Sequence, residues 1–343
     1  MTLRCRRALT WLLALGFLSA MVEPALAKAA KRKAKSPWVK RRDKRGRMIV
    51  VDINVPPLTR DGRPNVQAKA AIMIDLASGH PLYEKNADEQ RPIASISKTF
   101  AAMVVMDRKL DLAKVTTMTE EDQKYARGGA KSRLLMGRGY SSLDLLHAMM
   151  MGSDNRAVTA LGRAAGLTPA ELVAAMNDKA RSLGLAHTRF EDPVGLSNGN
   201  LSTPRDLVMA VRAMLEYPLL SQISSKKEHD VWTADDKPRS SSHFVNTDQV
   251  ARAGRYQVLA GKTGYTDEAR YCLVIAAKVG ERKVAAALLG AEGELTRFAD
   301  FNRAAAWLID GGPAKVAARS VLAARKKQDS GTGTGTSNAA PVP

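Results

Sequence analysis

Cysteine and histidine are scarce in this chain, which has two cysteines and five histidines among its 343 residues. The histidines are scattered, no H-E-x-x-H motif occurs, and no cysteines are paired at metal-ligand spacing, so no metal site is expected. If the segment containing Cys5 is removed on export, Cys272 remains alone and cannot form an internal disulfide. We expect Cys272 to be a small buried residue in a strand.

The N-terminus has the pattern of a secretory signal peptide. Three arginines among the first seven residues precede an apolar stretch from Ala8 to Val22, which is short for a membrane span. The small residues of Ala25–Ala27 offer a cleavage site. We therefore predict a signal peptide over 1–27 and an exported, periplasmic protein with loose membrane or wall association. An uncleaved anchor is the alternative.

Basic charge is concentrated near the N-terminus. Lys28–Arg47 contains eleven basic residues and one acid, within a formal net charge of +19. We predict a basic flexible arm and linker over 28–66, one folded domain over 67–312 and a low-complexity tail over 313–343. The arm is expected either to contact envelope or anionic polymers or only to solubilise the chain, and no specific nucleic acid is expected.

The predicted elements within 67–312 favour an α+β domain. Ala71–Leu76 and Pro81–Glu84 form a predicted hairpin, and Tyr271–Lys278 and Lys283–Ala291 are predicted strands. Thr168–Glu171 is a capping box with proline in the first turn, which is typical of a helix start. Strands at both ends around a helical middle predict an antiparallel sheet packed with helices, plus a mainly helical lobe.

Ser95 and Lys98 form the first of three short motifs. Their spacing puts both side chains on one face at the start of a predicted helix. A serine hydroxyl needs a group that takes its proton, and no histidine is near in the sequence, so Lys98 is the candidate base. A lysine is a base at neutral pH only if burial or a second cation depresses its pKa, and Lys262 is the candidate cation.

The second and third motifs are S-D-N and K-T-G. Gly152 ends an apolar helix and places Ser153 and Asn155 on a short loop, where the hydroxyl can relay a proton and the amide can bind a peptide group. Lys262 follows a predicted strand, whose edge can pair with an extended substrate. Gly264 is expected to let the substrate approach closely.

The ordered set S-x-x-K, S-D-N and K-T-G is the signature of serine β-lactamases and penicillin-binding proteins, although each motif alone is weak. Over about residues 67–310 the chain resembles the low-molecular-mass penicillin-binding proteins, the serine D,D-peptidase family that includes D-Ala-D-Ala carboxypeptidases, and most of all their endopeptidase branch. The resemblance extends to the segments Arg91–Lys98, Phe190–Ser197, Ser202–Asp206, Gly261–Thr266 and Tyr271–Val274.

By this resemblance Ser95 is the acylated nucleophile, Lys98 its general base and Ser153 the relay that protonates the leaving amine. The substrate-binding residues implied are Asn155, Lys262, Thr263, Gly264 and Tyr265. The amides of Ser95 and Tyr265 are expected to form the oxyanion hole. The resemblance also implies a β-lactamase/transpeptidase-like fold, no cofactor, peptidoglycan peptide stems as substrate and β-lactam antibiotics as covalent inhibitors.

One departure from the family pattern is Ala269-Arg270-Tyr271, where a glycine is expected beside the alanine. This puts the local strand geometry in question.

Two alternative functions stay open. A β-lactamase needs a carboxylate that activates the deacylating water, and Glu191 is the candidate. A non-catalytic wall-binding protein would act through the basic arm instead. Ser197 lies in a G-x-S-x-G pattern, but its loop context does not match a nucleophile elbow.

Overall fold

The computed structural model describes the backbone of residues 38–42, 48–52 and 55–331. The strands are β1 (Trp38–Arg42), β2 (Met48–Asp52), β3 (Ala70–Asp75), β4 (Pro81–Lys85), β5 (Arg91–Pro92), β6 (Val115–Thr117), β7 (Gly139–Ser141), β8 (Leu201–Ser202), β9 (Glu228–Trp232), β10 (Ser241–Val245), β11 (Gln257–Thr266), β12 (Arg270–Val279) and β13 (Arg282–Ala291). The helices are α1 (Lys98–Asp107), α2 (Glu120–Tyr125), α3 (Ser142–Met151), α4 (Asn155–Ala164), α5 (Pro169–Ser182), α6 (Pro204–Met214), α7 (Pro218–Ser225), α8 (Gln249–Ala253), α9 (Thr296–Ile309) and α10 (Gly312–Gly331).

Five strands form the central sheet, in the order β11-β12-β13-β3-β4, and every neighbouring pair is antiparallel. Because β13 pairs with β3, the two ends of the domain meet in the middle of one sheet. The helices between them form the rest of the molecule. The predicted α+β class, an antiparallel sheet packed with helices, is confirmed.

Both faces of this sheet are buried. Along β12, Leu273 and Ile275 pack into the same cluster as Phe301 of α9, whereas Val274 and Ala276 point into the larger cluster that fills the helical lobe. Alternate side chains of a strand point to opposite faces, so a sheet covered on both faces needs apolar residues at every position. This is why β12 and β13 are continuous apolar runs without polar alternation.

The helical lobe is built around α1. Nearly all of this helix is buried, and Phe100 packs against Phe190 with ring centroids 4.7 Å apart. Helices α3, α4, α5 and α6 surround it, and α6 also covers the face of the sheet opposite α9. Thr168 caps α5 as the sequence predicts, with Glu171 closing the capping box.

The chain termini extend beyond this domain. Within the predicted basic arm, β1 and β2 pair as an antiparallel hairpin. The catalytic domain is predicted to end at Gly312 and to be followed by a low-complexity tail. In the structure, helix α10 begins at Gly312 and covers the first part of that tail. The predicted signal peptide, the rest of the basic arm and residues 332–343 lie outside the described residues. Over the described part of the chain, no helix combines the length and apolarity that crossing a membrane requires.

We predict that Thr168→Ala lowers the free energy of unfolding by about 1 kcal/mol, because it removes an N-cap. The Thr168 hydroxyl accepts a hydrogen bond from the Glu171 amide at 3.3 Å and lies on the surface, so no packing is lost. Urea denaturation measures the change. Thr168→Ser, which keeps the hydroxyl, is the control, and equal stability of the Ala and Ser variants would contradict the capping role.

Candidate active site

Ser95 lies in a 3₁₀ turn, Ala94–Ser97, directly before α1. The sequence predicts this serine at the start of the helix itself, but the helix begins at Lys98. The Lys98 ammonium nitrogen lies 2.8 Å from Ser95 Oγ and also contacts the carbonyl oxygen of Val194. The serine and its candidate base are therefore in direct hydrogen-bond contact.

Two glycines allow the backbone to approach this turn closely. A Cβ atom on Gly264 would lie 2.6 Å from the carbonyl oxygen of Ile93 and 3.2 Å from the amide nitrogen of Ser95. A Cβ atom on Gly195 would lie 2.3 Å from the carbonyl oxygen of Ala94. The turn that carries Ser95 is thus one reason why residue 264 has no side chain, and close approach of the substrate to Gly264 stays a prediction.

The second motif joins two helices. Gly152 is the C-cap of α3, and Ser153 has a left-handed backbone with φ of +58°, which is uncommon for a residue other than glycine. Asp154 is the N-cap of α4, and its carboxylate accepts hydrogen bonds from two backbone amides of the first turn. Asn155 is the first residue of that helix, not a loop residue as predicted, and its buried amide lies against Gly129.

The third motif lies on β11, the outer strand of the sheet. The Lys262 ammonium nitrogen is 2.9 Å from Ser153 Oγ and 2.9 Å from the carbonyl oxygen of Thr263. The Thr263 hydroxyl is 2.6 Å from the Thr247 hydroxyl, and Tyr265 is half-buried. Since Ser153 is on the helical lobe and Lys262 on the sheet, this hydrogen bond crosses the seam between them.

Burial dominates the electrostatics of the two lysines, whose exposed fractions are 0% for Lys98 and 1% for Lys262. Burial lowers the pKa of Lys98 to about 7, although the charges of Asp192 and Asp154 act in the opposite direction. Burial also holds the pKa of Lys262 well below its usual range, with Lys98 and Arg297 as the neighbouring cations. Of the two causes left open for Lys98, burial is therefore the principal one, rather than the charge of Lys262.

Arg297 is a site residue that the sequence analysis missed. It is a buried residue of α9, and its Nη1 donates hydrogen bonds to the carbonyl oxygens of Gly264 at 2.8 Å and Cys272 at 3.1 Å. The guanidinium therefore ties the end of β11 to β12 beneath the third motif. No local pattern marks this arginine, because its partners are distant in the sequence.

Comparison with known proteins identifies the family of this constellation. A family model described as D-alanyl-D-alanine carboxypeptidase, peptidase family S11, matches residues 58–293. The D-alanyl-D-alanine endopeptidase of Pseudomonas aeruginosa is 36% identical over 266 residues, which are 77% of this chain and 85% of that protein. The D-alanyl-D-alanine endopeptidase of Escherichia coli is 35% identical over 74% of this chain and 81% of its own length.

The chain belongs to the S11 family. The predicted resemblance and the predicted enzyme class, a serine-type D-Ala-D-Ala hydrolase, are confirmed at the level of the family. The fold agrees as well. A crystal structure of the Streptomyces K15 DD-transpeptidase superposes with a TM-score of 0.67 at 26% identity, covering 74% of this chain and 99% of that one.

Arg270, the departure from the S11 pattern, has a strained backbone. Its φ is +59°, in the left-handed region that favours glycine. Arg270 is opposite Thr266 in the last pair of the β11–β12 ladder, and the ladder continues from there with Tyr265 opposite Tyr271. An arginine therefore begins β12 here in a backbone conformation that suits glycine.

The candidate residue of the β-lactamase alternative is engaged elsewhere. Glu191 is exposed, and its carboxylate accepts a hydrogen bond from Ser197 Oγ at 2.7 Å. The amide of Ser197 contacts Asp192 in the same loop, so the G-x-S-x-G serine has no strand-to-helix elbow, as expected.

Cys272 is fully buried, and burial raises the pKa of its thiol to about 11.

Two histidines that the sequence analysis treated as scattered are neighbours in the structure. His147 and His229 stack with ring centroids 3.7 Å apart, and Asp144 is 3.1 Å from His229 Nε2. The Lys226 ammonium nitrogen lies 3.2 Å from His147 Nε2. Asp144, His147 and His229 each offer one possible ligand atom, and these atoms lie within 4.8 Å of one another. The ring nitrogen of His147 that could bind a metal ion faces the Lys226 ammonium group, which disfavours a cation there.

We predict that Arg270→Gly raises the free energy of unfolding by about 0.5–1 kcal/mol. Glycine relieves a left-handed strain of about 1–2 kcal/mol, less the greater backbone entropy that glycine loses on folding. The ion pair of Arg270 with Glu292, at 3.5 Å, is partly exposed and its loss costs little. Urea denaturation measures the change, and Arg270→Ala, which loses the ion pair but keeps the strain, is the matched control. A glycine variant no more stable than the alanine variant would disprove the strain.

Proposed function

We propose that the protein is an exported serine D,D-peptidase that hydrolyses peptide bonds next to D-Ala in peptidoglycan stems through an acyl-enzyme on Ser95. The observation that carries this proposal is the pair of buried Lys–Ser hydrogen bonds, Lys98 to Ser95 and Lys262 to Ser153, at 2.8 and 2.9 Å. Each motif supplies one part of the chemistry, and membership of the S11 family gives the substrate class.

In the acylation step Ser95 Oγ attacks the carbonyl carbon of the D-Ala residue while its proton passes to neutral Lys98. The tetrahedral oxyanion is held by the amides of Ser95 and Tyr265, and such donors each contribute roughly 3–4 kcal/mol. This assignment is supported by the contact between Gly264 and the Ser95 amide, which brings the strand carrying Tyr265 beside the nucleophile. The C–N bond then breaks, and the leaving amine takes the proton from Lys98 through the Ser153 hydroxyl, which leaves Lys98 neutral for the next step.

In the deacylation step a water molecule attacks the ester carbonyl and gives its proton to Lys98. The ester bond breaks, Ser95 Oγ regains a proton from Lys98, and the stem peptide leaves as a carboxylate. In both steps Lys98 takes a proton from the attacking group and passes it to the leaving group. The attacking group is Ser95 in acylation and water in deacylation.

Substrate binding falls to the outer strand and to the second motif. We assign Asn155 to a peptide group of the stem, the Lys262 ammonium and Thr263 hydroxyl to its anionic groups, and the backbone of Gly264 and Tyr265 to strand pairing with the extended peptide. β11 is the end strand of the five-stranded sheet, which supports the last assignment.

Cleavage of cross-links is our first choice of reaction, because the two relatives described above are named endopeptidases at 36% and 35% identity. Removal of the terminal D-Ala is the second choice, since the family model is that of a carboxypeptidase. Residues 67–312 act as the catalytic domain, and β-lactams acylate Ser95. The signal peptide over 1–27 directs export to the periplasm, and the Lys28–Arg47 arm contacts anionic envelope polymers.

The proposed base makes acylation pH-dependent. Because Lys98 accepts the serine proton only when neutral, the acylation rate constant should rise as the pH increases through about 7, the pKa of Lys98. Stopped-flow acylation with a fluorescent penicillin between pH 5 and pH 8 measures this limb, with circular dichroism to confirm folding at each pH. A rate constant that stays level across this range would refute Lys98 as the base.

The proposed reaction is tested by incubating the full chain with cross-linked muropeptide dimers and with monomeric pentapeptides. Mass spectrometry should show dimers converted to monomers and, more slowly, loss of terminal D-Ala. Ser95→Ala should reduce both reactions by more than about 10⁴-fold and abolish a stable penicillin adduct on the peptide that contains residue 95.

The alternatives give different results in this experiment. Rapid penicillin turnover without a lasting adduct indicates a β-lactamase. Neither hydrolysis nor an adduct leaves a wall-binding protein, whose retention on purified wall should be lost when the basic residues of Lys28–Arg47 are made neutral. If the peptidase proposal is correct, the same change leaves muropeptide hydrolysis intact.

A further inference from the structure

Asp248 lies outside the three motifs, yet its carboxylate lies directly behind the third one. It is the N-cap of α8, and its Oδ1 accepts a hydrogen bond from the Val250 amide at 2.8 Å. The side chain is 1% exposed, and within the described residues its Oδ2 has no hydrogen-bond partner. Capping therefore uses one oxygen of Asp248 and leaves the other buried and unused.

The unused oxygen is directed at β11. A Cβ atom on Gly261 would lie 2.9 Å from Asp248 Oδ2, so this oxygen rests against the strand one residue before Lys262. Burial raises the pKa of the Asp248 carboxyl to about 6, while the charges of Arg297 of α9 and Lys262 of β11 act in the opposite direction, so the group is ionised at pH 7 and above.

The charge balance around Lys262 gives this oxygen a role. Lys262 is buried beside two other buried cations, Lys98 and Arg297, and Asp248 is the carboxylate that opposes them. Lys98 is balanced separately, by Asp192 and Asp154. A buried ammonium group without a compensating charge loses its proton more readily, and the negative charge of Asp248 acts in the opposite direction on Lys262.

We propose that Asp248 is a positioning residue of the peptidase, whose carboxylate acts from behind β11 to keep Lys262 charged for Ser153 and for the anionic substrate. A neutral N-cap such as asparagine would cap α8 equally well, so capping alone does not account for a carboxylate here. This inference rests on the proposed function, because that function gives the charge of Lys262 its use.

The test is Asp248→Asn, which keeps the shape and the capping oxygen but removes the charge. Because the proposal requires a charged Lys262, the acylation rate constant should fall again at high pH as Lys262 loses its proton, and this fall is the alkaline limb of the profile. Loss of a neighbouring negative charge lowers the pKa of Lys262, so the alkaline limb should move to lower pH by about one unit. At a pH on that limb, the acylation rate constant should fall about tenfold. A folded variant with the wild-type alkaline limb would overturn the proposal and leave Asp248 as a helix cap.

Asp300→Asn is the matched control. Asp300 is a fully buried carboxylate that accepts hydrogen bonds from the backbone amides of Gln67 and Ala68, at 2.9 and 2.7 Å, on the α9 side of the sheet. It is not among the groups that act on Lys262. Its substitution should lower thermal stability while leaving the alkaline limb unchanged, and a shift equal to that of Asp248→Asn would overturn the proposal.

A second readout does not depend on catalysis. In protein labelled with ¹³C at the lysine ε-carbon, the Lys262 signal is assigned by its loss in Lys262→Arg and titrated with and without Asp248→Asn. A pKa of Lys262 lowered by about one unit supports the proposal, and an unchanged pKa overturns it. If wild-type protein is never acylated by penicillin, the proposed function fails, while this titration still decides the effect of Asp248 on Lys262.

Discussion

The burial of two lysine side chains in one site is the constraint on which the rest of the structure depends. Lys98 comes from the helical lobe and Lys262 from the outer strand, and neither is accessible to solvent. Removing an ammonium group from water is costly, so each is held by serine and carbonyl oxygens and by nearby carboxylates. The sheet and the lobe must therefore meet closely enough to exclude water while keeping these oxygens in reach.

Much of the architecture could be predicted from the sequence because its signals are local. The Thr168 capping box, the apolar run of α1 and the paired runs of β12 and β13 each depend on neighbours within a few residues. The contact between Ser95 and Lys98 is also local, since one turn separates them. Even the strain at Arg270 was visible as a departure from the family pattern.

What the sequence could not show are the contacts between segments that are far apart along the chain. The packing of the Ile93 turn against Gly264 is such a contact, because nothing in the K-T-G motif indicates it. Arg297 and Asp248 lie in no recognisable motif. Both contact β11, which is distant from Arg297 in the sequence and meets both residues only in the folded chain. The neutral state of Lys98 likewise depends on burial, which the packing of the whole lobe produces.

The burial of Lys98 also ties folding to proton release. A lysine ammonium group has an ordinary pKa of 10.5, and that of Lys98 is about 7 in the folded protein. Between these two pH values folding expels a proton from this side chain, so its charge opposes folding fully below about pH 7 and progressively less as the pH rises toward 10.5. The enzyme therefore has one titration that both prepares its base for catalysis and relieves a destabilising charge in its interior.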